Sequence, residues 1–147
     1  MIVPDVNVLI NAARAGAPDH DLARRTMVDI LTGKEPVGLL DETLAATIRI
    51  LTNPRLGTVQ SMADAVSFCD RVRSGPAALR LLPPESAWTT FTASVIDVDL
   101  RANDVPDAWL AAVATSANAT LVTFDRGFRR FPGLSLHLLG DDTGPRG

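Results

Sequence analysis

Apolar and polar positions along this chain follow two alternating patterns, and the switches between them mark its elements. Short runs at Met1–Pro4, Val37–Leu40, Leu79–Leu82, Thr120–Phe124 and Leu134–Leu139 read as strands. The stretches between them carry apolar residues at helical spacing. Val8–Arg14 predicts a short helix, and Asp19–Leu31 a longer one between the turn Gly16-Ala17-Pro18 and Gly33. Leu44, Ile48 and Leu51 place a helix over Thr43–Leu51, ended by Asn53-Pro54. Val59, Met62, Val66, Cys69 and Val72 draw one stripe that predicts an amphipathic helix stopped by Gly75-Pro76. A helix carrying Trp88, Phe91 and Val95 follows Pro83-Pro84, and another covers Pro106–Asn118. Strands alternating with helices predict an α/β fold around a mainly parallel sheet of about five strands. No internal repeat or low-complexity segment interrupts it, so residues 1–140 read as one domain and 141–147 as a polar tail.

Against this frame the acidic residues fall in a pattern. Asp5 ends the first strand, Asp41 and Glu42 follow the second, and Asp125 ends the strand Thr120–Phe124. Asp104 and Asp107 stand at the start of the Pro106–Asn118 helix. The carboxyl ends of parallel strands share one edge of the sheet, so these side chains are expected to converge on a single crevice. Carboxylates that close repel strongly unless a cation sits among them. The pattern points to a hard divalent metal held by oxygen ligands, and to metal-assisted hydrolysis of a phosphodiester.

Each acid alone has a simpler explanation. Asp5, Asp41, Glu42 and Asp104 suit helix caps, Asp107 suits the positive end of a helix dipole, and Asp125 before Arg126-Gly127 suits a turn. Their joint placement on one edge is what carries the inference. Other chemistries lack support. His20 and His137 are far apart and outside zinc-ligand spacing. No phosphate-binding glycine loop, dinucleotide fingerprint or serine elbow is present.

Composition adds little beyond consistency. A single cysteine, Cys69, leaves no intrachain disulfide and fits a reducing cytoplasm, and its place on an apolar stripe predicts a buried small side chain. No signal peptide is recognisable, and no apolar run approaches the roughly 20 residues that span a bilayer, so a soluble cytoplasmic protein is expected. The net charge of −3 argues against unspecific coating of nucleic acid, though it leaves room for a nuclease whose acids sit in the site. Of 14 basic residues only Lys34 is lysine, and arginine's planar fork suits phosphate. Codon usage explains that bias as readily.

The opening Ile2-Val3-Pro4-Asp5-Val6-Asn7-Val8-Leu9 resembles the start of PIN domains, in particular the VapC-type toxin ribonucleases. The segments Asp104–Ala112, Ala119–Phe128 and Arg130–Leu134 are similar to that family's second half, and Leu51-Thr52-Asn53-Pro54-Arg55 recurs in one branch. The likeness spans residues 1–140 in order. It implies a three-layer α/β/α sandwich, Mg²⁺ or Mn²⁺ at the strand ends, endonucleolytic cleavage of an RNA substrate, a cognate antitoxin protein and a homodimer. By this resemblance Asp5, Asp107 and Asp125 match the first, third and fourth acids, and Asn7 and Thr123 match their polar companions.

Two positions depart from the family pattern. Thr47 stands where many relatives carry a glutamate, and Asp41 and Glu42 lie about a turn earlier, where one branch places its acid, nearest Asp41. Gly127 replaces a further aspartate. Metal ligation is therefore expected from Asp5, Asp107 and Asp125, with Asp41 or Glu42 completing the catalytic set and Asp104 in support. Arg126, Arg129 and Arg130 are candidate grips for flanking phosphates. The alternatives are a non-catalytic PIN-like domain that binds RNA or protein, which would show no manganese-dependent cleavage, and a structure-specific DNA nuclease, which would cut DNA under the same conditions.

Overall fold

In the computed structural model, which describes residues 1–141, five strands form one parallel sheet. In chain order these are β1 (Ile2–Pro4), β2 (Val37–Leu39), β3 (Ala78–Arg80), β4 (Thr120–Thr123) and β5 (Ser135–Leu138). Their spatial order is β3-β2-β1-β4-β5. The chain steps outward from β1 in one direction, then returns to its other side, so the switch in strand order falls between β1 and β4. Register aligns Pro4 with Val122, and the Asp5 amide donates to the Val122 carbonyl at 2.9 Å. The residues just past these two strands are thereby held side by side.

Among the described residues six helices cover the sheet: α1 (Val6–Ala13), α2 (His20–Thr32), α3 (Asp41–Leu51), α4 (Met62–Arg73), α5 (Ala87–Asp97) and α6 (Val105–Ser116). Alternate side chains of each strand feed opposite faces. Val3 and Leu121 pack with Ala108, Val113 and Phe128 under α5 and α6, whereas Val37, Leu39 and Val122 pack with Leu9, Met27, Leu44 and Val72 under α1 to α4. The result is the expected α/β/α sandwich, with its sheet entirely parallel among the described residues.

Helix α4 differs from its sequence reading. Ser61 caps it by accepting from the Asp64 amide at 3.0 Å, so the helix begins at Met62 and Val59 lies outside. Its buried face is Ala65, Cys69 and Val72, with Met62 and Val66 turned to solvent. The small Ala65, not Val66, meets the core. Asp141 also departs from the reading of a polar tail, since it pairs with Arg126 and Arg129. Residues 142–147 of that tail lie outside the described residues.

Candidate active site

The crevice at the β1/β4 switch point begins with Asp5. This residue caps α1, its Oδ1 accepting from the Val6 amide at 2.6 Å, and it is 4% exposed. The buried Thr123 hydroxyl, at the end of β4, donates to Asp5 Oδ2 at 2.7 Å. Asn7 donates from Nδ2 to Thr123 Oγ1 at 2.9 Å, and its Oδ1 accepts from the Phe124 amide at 3.2 Å. One network thus fixes the Asp5 rotamer and ties the two strand ends together. Burial pushes the Asp5 carboxyl up to about 6 despite the bonds from Thr123 and Val6, and repulsion from Asp107 and Asp125 adds to the rise.

Asp107 lies in the first turn of α6, which Pro106 helps to start. Burial also raises its pKa, as do Asp125 and Asp104, against the opposing charge of Arg130. Asp125 follows β4 and caps a 3₁₀ turn, Arg126–Arg130, accepting from the Gly127 amide at 2.7 Å. A β-carbon on Gly127 would come within 2.9 Å of Asp125 Oδ1, so glycine at this position gives the cap room to form.

The structure separates Asp41 from Glu42. Asp41 turns away from the crevice to the exposed Arg80 of β3, at 2.6 Å from Nη2. Glu42 lines a crevice of about 220 Å³ together with Asp5, Thr43, Ala46, Asp107 and Trp109. Its Oε1 accepts from the Trp109 indole at 2.7 Å, and that ring packs edge-on against Phe91. Thr47 is fully buried and donates back to the Thr43 carbonyl, so it offers the crevice nothing. Larger grooves line α4 and the region beside Arg14, but neither gathers acids.

The three arginines also divide. In a 3₁₀ turn residues i and i+3 stand one above the other, and Arg126 and Arg129 accordingly share Asp141. Arg130 points the other way, to Asp104 and Asp107, each at 3.4 Å. Asp104 closes the 3₁₀ turn Ala102–Asp104 by accepting from the Arg101 amide at 3.1 Å. In the sequence Trp109 reads as helix packing and not as a site residue. The available signal was its indole N–H, which requires an acceptor when half-buried.

The donor set suits a hard cation. Asp5, Asp107 and Asp125 offer only carboxylate oxygens, and Asp107 Oδ1 and Asp125 Oδ2 have no hydrogen-bond partner among the described residues. Among those residues no three acidic, cysteine or histidine side chains already form a closed coordination cluster. The acids share repulsion, which a cation would relieve.

Comparison with known proteins gives the family and the fold. Residues 2–134 match the PIN domain family. Ribonuclease VapC43 of Mycobacterium tuberculosis is 43% identical over 132 residues, covering 89% of this chain and 90% of that protein. Two solved structures share the fold at 17% identity. VapC20 of Mycobacterium tuberculosis, a sarcin-ricin-loop-cleaving toxin, has a TM-score of 0.67 over 91% of this chain and 98% of its own. VapBC2 of Rickettsia felis, bound to a promoter DNA fragment, has 0.66 over 94% and 98%. The chain belongs to the PIN-domain family and, within it, to the VapC ribonucleases.

Proposed function

We propose that this chain is the toxin of a toxin–antitoxin pair, an endoribonuclease that hydrolyses RNA phosphodiester bonds in the cytoplasm with Mg²⁺ or Mn²⁺. The observation that supports it most is Asp5, a carboxylate buried at the sheet's switch point and facing repulsion from Asp107 and Asp125. Burial among like charges raises a carboxyl's pKa in the way that functional sites do. Asp5, Asp107 and Asp125 would hold the ion, and Glu42, which lines the same crevice, would supply the remaining acid. When bound, the ion supplies Lewis-acid stabilisation of charge on the phosphate and activation of water. Thr123 and Asn7 keep Asp5 in one rotamer. Trp109 keeps Glu42 turned toward the crevice. Arg126 and Arg129 are exposed but paired with Asp141, so an RNA phosphate would have to compete with that carboxylate for them.

A homodimer and an antitoxin complete the reading. Trp88 and Ile96 on α5 are 64% and 78% exposed, apolar surface of the kind a second copy covers. The likeness to VapBC2 supports a protein partner. The test is expression in a bacterial host: the wild type should arrest growth, Asp5→Asn should be tolerated at equal protein level, and a small protein encoded beside the gene should co-purify. Equal harmlessness of both, with no such partner, would contradict the toxin assignment.

The division between Asp41 and Glu42 gives a second prediction. Glu42→Gln should slow RNA cleavage by roughly tenfold or more, the size of effect usual for groups that support a metal site. Asp41→Asn breaks only an exposed ion pair, for which a cost of about 0–1 kcal/mol in stability is expected, and should cleave like the wild type. Wild-type rates in both variants would leave the site with three carboxylates.

A further inference from the structure

We propose that Arg130 is an internal counter-ion latch: its guanidinium bridges Asp104 and Asp107, its positive charge beside Asp107 would oppose an arriving divalent ion, and a shift toward Asp104 alone would relieve that opposition. The inference rests on the metal-dependent reading above and assigns roles within that site. Arg130 sits in a compromise position. Nη1 lies 3.4 Å from Asp104 Oδ1 and Nη2 3.4 Å from Asp107 Oδ2, longer than the roughly 2.7–2.9 Å of a strong charge-assisted bond. Its Nε is buried with no hydrogen-bond partner. The guanidinium is instead supported from below by the Phe131 ring, 5.0 Å from its centroid.

A group held this loosely between two acids is easily released from one of them. Among the described residues Arg130 is the cation that acts on Asp107, Arg126 and Arg129 being engaged by Asp141. Asp104 has one oxygen committed to the Arg101 amide, and so is fixed in place with its other oxygen toward Arg130. Asp104 is then a positioning residue that acts through Arg130 and is not itself a ligand. Nη2, once released from Asp107, is free to meet a phosphate oxygen of the RNA.

Calorimetric titration of the full chain with Mn²⁺ at pH 7.5 tests this. Removing a positive charge beside the incoming ion should tighten binding, so Arg130→Gln is expected to lower the Kd by roughly three- to tenfold. A merely structural arginine would give the opposite sign. Asp104→Asn leaves Arg130 with Asp107 alone and should weaken binding. In the double variant Asp104→Asn/Arg130→Gln the affinity should stay within about threefold of Arg130→Gln, since a residue acting through Arg130 has nothing left to act on. Arg130→Met, which keeps an apolar stem over Phe131, serves if the glutamine variant melts below the assay temperature. Unchanged or weaker binding on loss of the Arg130 charge overturns the latch. A further tenfold loss in the double variant makes Asp104 a ligand and overturns its assigned role. If the wild type itself binds no Mn²⁺, the metal-dependent reading fails and the latch with it.

Discussion

Asp5→Asn should melt at a higher temperature than the wild type at pH 7.5 without added metal, while losing RNA cleavage. Burial lifts the Asp5 carboxyl from 3.8 to about 6 on folding. Between those values the folded chain keeps a proton that the unfolded chain gives up. The stability linked to Asp5 is therefore complete below the unfolded value and is lost as pH rises through the folded one. By pH 7.5 the ionised group costs about 2–3 kcal/mol. The amide keeps an oxygen for the Val6 N–H but turns Nδ2 toward Thr123 Oγ1, which already accepts from Asn7 and from the Asp125 amide. That conflict offsets part of the gain, and a net of about 1–2 kcal/mol, or roughly 3–6 °C, is expected. Thermal melts at pH 5 and pH 7.5 check the assignment. The difference between the two proteins should shrink at the lower pH, and a variant less stable than the wild type at pH 7.5 would contradict it.

Asp107→Asn should abolish measurable Mn²⁺ binding. Asp107 combines partial burial with an uncommitted Oδ1, and its neighbours Asp125 and Asp104 oppose its charge. Replacing a carboxylate ligand by an amide removes both the charge and the better donor, and a loss on the order of a hundredfold in affinity follows. Calorimetry in the range where the wild type saturates measures it directly. An Asp107→Asn protein that binds as tightly as the wild type would remove this residue from the site.

How much of this was legible in the sequence follows from the range of the forces involved. Asp5 and Asp125 could be placed because each ends a strand whose direction is fixed by the parallel sheet, and Pro106 announces the helix start that carries Asp107. The choice between Asp41 and Glu42 could not be read. Adjacent residues at a helix start point about 100° apart, and which one faces the crevice is decided by distant partners, Arg80 on β3 and Trp109 on α6. The arginines were grouped because Arg126, Arg129 and Arg130 are close in sequence. Only the 3₁₀ turn, which brings the first two over Asp141, sends the third to the acids. On α4 the apolar pattern favours Val66 over Ala65, whereas the crowded helix face selects the smaller side chain.

Hydrolysis of RNA in this acidic crevice should require a divalent ion. Purified wild-type protein, incubated with a mixed RNA substrate and a matched DNA, tests it most directly. The expected result is internal cleavage of the RNA with Mn²⁺ or Mg²⁺, none with chelator, little or none of the DNA, and none of either by Asp107→Asn. Cleavage that persists in the chelator at an undiminished rate, or that Asp107→Asn performs as well as the wild type, would contradict it.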